Sequence, residues 1–312
     1  MSNPQSAMGE AIYRPARRRF QITLRVREAL VAYLFLVPFF IFFIVFVLRA
    51  VVYAFQMSFY DWKILALKHP YIGLGNYQEL LGDAVWWTSL KNTLIMAILI
   101  VVGTTIVALF AAVALNRPLK GGNFFRVLLY APSLLSVGVV GTTWQWLLNT
   151  QFGIINYGLS LLGFSQINWL GSSDLVLPAI SLTTIWWGFG FPMLIFLAGL
   201  QGIPETLYEA ARIDGANGRQ LFFYITLPLL RPTILFVTVT GFIANFQIFG
   251  QNYIMTSGGP GYASFSVIFY LYQKAWQGFR MGYGATIAIA LAVIIMVFTV
   301  TQFRLLGRRV EY

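Results

Sequence analysis

The 312-residue sequence contains no cysteine, so neither a disulfide framework nor a thiolate metal site is available to it. It has one histidine, His69, which leaves little for imidazole chemistry. Charge is scarce: Asp, Glu, Lys and Arg together make up 10% of the residues, against about 25% in soluble domains. A chain of this length with so little charge cannot cover a water-facing surface. There is no G-x-x-x-x-G-K-[ST] run to cradle nucleotide phosphates. No acidic residue lies well inside a long apolar segment, where a proton-coupled carrier usually has one. No nucleophile, base and orienting group form a visible constellation, so no catalytic residue and no metal ligand is assigned, and the chain is not expected to be an enzyme. Short internal repeats and low-complexity segments are absent too.

What is abundant is apolar, at 58% of residues. The net charge of +11 does not point to nucleic acid. A nucleic-acid binder gathers its basic residues on one face, whereas here they fall in short clusters between apolar runs. The composition fits an all-α polytopic membrane protein. A helical crossing needs about 20 mostly apolar residues, and six stretches qualify: Leu30–Ala54, Thr93–Leu115, Phe125–Leu148, Leu175–Leu200, Leu230–Met255 and Tyr283–Leu306. Pro38 and Pro192 fall inside two of them, which a helical bundle tolerates. The first run is too long for a cleaved signal peptide. The expected organisation is a basic tail at 1–29, a transmembrane domain at 30–306 and a short tail at 307–312.

Basic residues set the expected orientation. Arg14, Arg17, Arg18, Arg19, Arg25 and Arg27 precede the first run. Arg117, Lys120 and Arg126 follow the second, Arg212, Arg219 and Arg231 follow the fourth, and Arg304, Arg308 and Arg309 close the chain. With six crossings these share one side, which predicts both termini in the cytoplasm. Trp86, Trp87, Trp144, Trp146, Trp169 and Trp276 then read as an aromatic belt at the outer interface. His69 is expected as a solvated loop residue. Asp61, Glu79 and Asp83 are outer-loop acids without visible pairing, and Gly258-Gly259-Pro260-Gly261 is a tight outer turn. Gly282-Tyr283-Gly284 follows Arg280-Met281 rather than Thr-Val, which argues against a potassium filter.

One polar stretch is not needed for crossing a membrane: EAARIDGANGRQLFFYITLP, Glu209–Pro228. Pro204 and Glu205 suit the start of a helix, and Gly215 suits its end. Asn217 with Gln220 forms a capping-box pattern for a second short helix, which Leu227-Pro228 is expected to terminate. Apolar residues displayed on such an insert point to a partner surface. An amphipathic hairpin lying on lipid, with Glu209 and Arg212 as an ordinary i,i+3 pair, is the plainer alternative.

Glu209-Ala210-Ala211, three residues, Gly215, nine residues and Ile225-Thr226-Leu227-Pro228 resemble the EAA loop of ABC-importer permease subunits. The flanks AGLQGIPETLYEAARIDGA (Ala198–Ala216), TSGGPG (Thr256–Gly261), Tyr33–Trp62, Ile72–Asp83 and Asn92-Thr93 are similar to the carbohydrate branch, of maltose and glycerol-phosphate type. The resemblance implies about six transmembrane helices with two short cytoplasmic coupling helices in the loop 201–229. It implies ATPase-coupling roles for Glu209, Ala210, Ala211, Asp214, Gly215, Ile225, Leu227 and Pro228. It also implies alternating access with a second homologous permease subunit, two ATPase subunits carrying ATP-Mg, and an extracytoplasmic solute-binding protein. No cofactor is expected in this chain. The implied location is a prokaryotic inner (plasma) membrane and the implied cargo a sugar. A stand-alone secondary carrier or channel for a small polar solute is the alternative.

Polar side chains within a span are costly and usually face a cavity. At 100° per residue, Gly241, Asn245, Ile248 and Asn252 of the fifth run share a stripe, with Gln247 and Gln251 beside it. Amides suit sugar hydroxyls because they both donate and accept, and Trp186, Trp187, Phe189 or Phe191 offer a ring face. The resemblance implies substrate contacts at Gly188, Phe191, Gly241 and Asn245. Phe191 stands where the maltose-type branch has tyrosine, and Ile248 where it has asparagine. Hydrogen bonding between helices is the plainer role for the amides.

Overall fold

The computed structural model describes residues 24–117 and 120–306, so most of the two expected tails, with Arg14, Arg17, Arg18, Arg19, Arg308 and Arg309, lies outside the described residues. The chain forms two compact units, Met1–Tyr53 and Ala54–Tyr312. In the first, helix α1 (Leu24–Phe42) contains Pro38 and passes through a π-helical turn, Phe43–Leu48, into α2 (Arg49–Met57). Side chains from Glu28 to Tyr53 are exposed, as suits an apolar helix facing something other than water.

The second unit begins with a short connecting segment ahead of its long helices. Asn76 is buried at the start of α3 (Gly75–Gly82) and gives its amide hydrogens to the carbonyls of Ser58 (2.8 Å) and Tyr60 (3.0 Å). Asp83 then caps α4 (Ala84–Leu115) through the Val85 N–H at 2.9 Å. The 32 residues of α4 reach about 48 Å at the helical rise, more than the roughly 30 Å of a bilayer core. This helix is the axis of the unit and packs most extensively against three later helices, Val176–Gly188, Gly190–Gln201 and Arg231–Phe246. Small residues allow the approach: Ala108 and Ala112 are fully buried, and a side chain at Gly103 would collide with Ile185.

Except for the last helix, the remaining apolar runs depart from uninterrupted crossings. Two helices, α5 (Gly122–Tyr130) and α6 (Val137–Leu147), replace the expected third span and meet at 93° across a 3₁₀ turn, Ala131–Leu134. Pro132 sits in that turn, and Ser136 is extended so that its hydroxyl accepts from the Val139 N–H at 3.4 Å. A short α7 (Ile154–Leu161) follows in the next loop. The expected fourth span divides into α8 (Val176–Gly188) and α9 (Gly190–Gln201), bent by 51°. Pro192 lies in the first turn of α9, where its missing N–H removes the bond to the Gly188 carbonyl.

The insert supplies α10 (Glu205–Ile213), α11 (Gly218–Leu221) and α12 (Leu227–Leu229), and α13 (Arg231–Phe246) leaves it at 63°. The fifth run does not continue to Met255. It breaks at Gln247–Phe249, and α14 (Gly250–Thr256) starts afresh. Gly250 lies so close to Val137 that an added Cβ would stand 2.8 Å from its Cγ2. The turn after α14 is tied down by side chains: Asn92 donates to the Tyr262 carbonyl (3.0 Å), and Ser264 to the Gly259 carbonyl (2.8 Å). Thr93 accepts from the Val267 N–H at 2.9 Å where α15 (Val267–Tyr272) begins. Helix α16 (Met281–Leu306) is long and unbroken. Among the described residues there is no β-strand, only isolated bridges at Tyr60–Tyr71 and Lys63–Arg280.

Candidate functional site

The two breaks, at Gly188–Gly190 and at Gln247–Phe249, open onto one cavity of about 570 Å³ beside α4. Gly188, Phe191, Gly241, Asn245 and Ile248 all line it, so five positions expected on sequence grounds come together. Gly188 leaves open space where a side chain would stand, and Phe191 is 57% exposed. At Gly241 an added Cβ would meet Val101 at 3.3 Å, so that glycine seats α13 close against α4.

Asn252 is the exception. It is fully buried, and its amide donates to the Ser264 carbonyl at 2.6 Å rather than lining the cavity. The 100° stripe that placed it with Asn245 assumes one helix, and the break at Gln247–Phe249 ends that register. Ring placement also differs from expectation. Trp187 lines the cavity, whereas Phe189 is buried in the core and Trp186 packs edge-on against Trp144 at 5.5 Å. Sequence reasoning missed Thr104 and Thr105 on α4, Thr184 on α8, and the weight of Gln251. Their signal was a hydroxyl or amide inside an apolar run, the same signal that marked Asn245.

The insert forms a second feature. Gly215 takes φ +84°, a left-handed conformation that suits glycine, and stops α10. The Asn217–Gln220 capping box closes in both directions, at 2.8 and 3.0 Å. Leu227-Pro228 does not end the second helix. A π-helical turn, Phe222–Thr226, carries the chain on into α12, where Pro228 occupies the first turn. Tyr208 and Thr226 join the two helices through their hydroxyls at 3.0 Å. Glu209, Ala210, Asp214 and Gly215 are exposed, while Ala211, Ile225, Leu227 and Pro228 are half-buried, Leu227 against the core of the bundle. Glu209 forms no ion pair with Arg212; among the described residues the salt bridges are Lys63–Asp61 and Arg280–Glu79. Ile213 and Tyr224 stand out at 86% and 78% exposure, an apolar surface without cover.

At the opposite end of α4 the acids are paired, contrary to expectation. Glu79 meets Arg280 through two bonds of 2.6 Å, and these hold its carboxyl below the usual range. Asp83 accepts from the Tyr270 hydroxyl and from the Tyr283 hydroxyl at 2.6 Å, as well as capping α4. Burial works to raise its carboxyl, but these donors outweigh it and leave the group lowered. Trp86 is buried in the core instead of lying in an interfacial belt. His69 stacks on Trp62 with centroids 4.0 Å apart rather than standing free in solvent.

Residues 104–312 match the family described as binding-protein-dependent transport system inner membrane component. The trehalose/maltose transport system permease protein MalF of Thermococcus litoralis is 34% identical over 281 residues, covering 90% of this chain and 95% of that protein. The arabinooligosaccharides transport system permease protein AraP of Halalkalibacterium halodurans is 35% identical over 283 residues, covering 90% and 89%. A crystal structure of a bacterial alginate ABC transporter, with its pentasaccharide-bound periplasmic protein, contains a chain of the same fold (TM-score 0.76, 23% identity, 90% of this chain and 95% of that one). An all-helical architecture, long apolar helices and shared sequence over most of the chain lead to one conclusion: this chain belongs to the family of binding-protein-dependent inner membrane components, the multi-pass permease subunits of ABC transporters.

Proposed function

We propose that this chain imports a carbohydrate by alternating access, holding it in the cavity between α4, the α8–α9 break and the end of α13. The observation that carries this reading is the meeting of Gly188, Phe191, Gly241, Asn245 and Ile248 on that one cavity. Rings at Trp187 and Phe191 and amides at Asn245, Gln247 and Gln251 give it the stacking faces and paired donors and acceptors that sugars use. The relatives' named cargoes, trehalose, maltose and arabinooligosaccharides, belong to the same chemical class.

In this reading Glu209, Ala210, Ala211, Asp214, Gly215, Ile225, Leu227 and Pro228 couple the bundle to ATPase subunits, which bring ATP-Mg, and the chain itself needs no cofactor. A second homologous permease subunit completes the pathway, two ATPases dock on the loops, and an extracytoplasmic binding protein delivers the sugar. Both termini face the cytoplasm of a prokaryotic cell, on the side of the insert. Isolation in mild detergent tests the assembly: the tagged chain is expected to bring with it an ATPase and a second permease-like subunit. Uptake by this chain alone in ATP-free liposomes would identify a stand-alone carrier or channel instead.

A further inference from the structure

Arabinooligosaccharides are neutral, whereas alginate is an acidic polysaccharide, so the relatives leave the charge class of the cargo open. We infer that the cavity takes an uncharged, hydroxyl-rich chain and rejects carboxylated, sulfonated or phosphorylated cargo, with Gln251 and Thr105 as polar contacts. This rests on the reading of the cavity as the transport site.

The donors of the lining are largely committed. Thr184 gives its hydroxyl hydrogen to the Ile180 carbonyl (2.8 Å) and Thr240 to the Phe236 carbonyl (2.7 Å). Asn245 gives one amide hydrogen to Gly241 (2.8 Å) and Gln247 one to Ile243 (2.9 Å). Each hydroxyl oxygen and each amide carbonyl can still accept. The unused capacity therefore leans toward acceptors, which a sugar hydroxyl satisfies. A carboxylate, sulfonate or phosphate brings lone pairs and negative charge to the same oxygens.

Gln251 adds a positive sign of a ligand. It is 6% exposed and lines the cavity, and its side chain has no hydrogen-bond partner among the described residues. Thr105 also belongs to the lining, and its hydroxyl is buried and has no partner. Buried polar groups in folded proteins are nearly always bonded; the Thr105 hydroxyl is such a group, whereas the unpaired Gln251 amide is open to the cavity, where a ligand hydroxyl can meet it. Among the described residues the lining contains no Lys, Arg or His, so on this chain's side an anion would shed its water without a cation to replace it.

The test is uptake by cells with and without this chain, offered labelled neutral arabino-, malto- and xylo-oligosaccharides and size-matched uronate, sulfated and phosphorylated ones. Chain-dependent uptake is expected for neutral members alone. Gln251→Leu is expected to raise their half-saturation about tenfold at equal membrane abundance, with partial rescue by Gln251→Asn. The near-isosteric Thr105→Val, expected to act in the same direction, keeps the question answerable if Gln251→Leu does not accumulate. Chain-dependent uptake of an acidic member overturns the neutral-cargo inference and leaves the carbohydrate reading standing. Unchanged half-saturation in both variants removes the assignment of Gln251 and Thr105. No chain-dependent uptake of any glycan overturns the carbohydrate reading itself.

Discussion

Asp83 is a single carboxylate that holds three elements, through the α4 N–H groups and the hydroxyls of Tyr270 and Tyr283. Asp83→Asn is expected to lower stability by about 1–3 kcal/mol, read as a drop in melting temperature of the purified protein. The pH dependence has a definite sign. Asp83 and Glu79 are both lowered by the fold, so their stabilisation is complete above the ordinary carboxylate range and fades as pH falls through the lowered values. Melting temperature should stay flat from neutrality to about pH 5 and fall below about pH 4, with a shallower acid limb in Asp83→Asn. Glu79 is 44% exposed and contributes the smaller part. Asn245 and Asn252 form a second contrast. Asn245→Ala is expected to raise the half-saturation for sugar about tenfold through one lost polar contact. Asn252→Ala should instead reduce thermal stability, since it strips the bond to Ser264, and leave half-saturation unchanged. Both amides were visible in the sequence, but their different roles were not. Periodicity reports a helical face only as far as the helix runs.

At the scale of elements, the apolar runs and the insert were legible because length and polarity are written residue by residue. Direction was not. A hydropathy window reads Leu175–Leu200 as one segment, and only the lost bond at Pro192 reveals that α8 and α9 part by 51°. The Asn217–Gln220 box and the stop at Gly215 were legible because a cap needs few neighbours. Trp86 and His69 were misplaced for the opposite reason, since their partners come from distant residues or from a stack that spacing does not encode. Gly215→Val would force a β-branched residue into the left-handed region. It is expected to reduce ATP-dependent uptake severely while membrane insertion, followed by fractionation, stays intact. Gly103→Leu would drive a side chain into Ile185 and part α4 from α8, at a cost of about 1–3 kcal/mol measurable by thermal unfolding.

For the molecule as a whole, two properties coexist: a long unbroken α4, and helices around it that change direction beside the cavity. The family was legible in the sequence because the spacing from Glu209 to Pro228 resembles the EAA loop of importer permeases. The cavity was legible only in part, since its α4 and α8 walls come from threonines far from the amides in the chain. The breaks also bear on motion. Pro192 has no hydrogen to offer Gly188, and the helix is already interrupted at Gln247–Phe249. Rotating a half-helix about either point leaves the intact ladders on both sides unbroken. Swivelling there sacrifices fewer backbone hydrogen bonds than bending α4 would, so the breaks are where a change of access costs least.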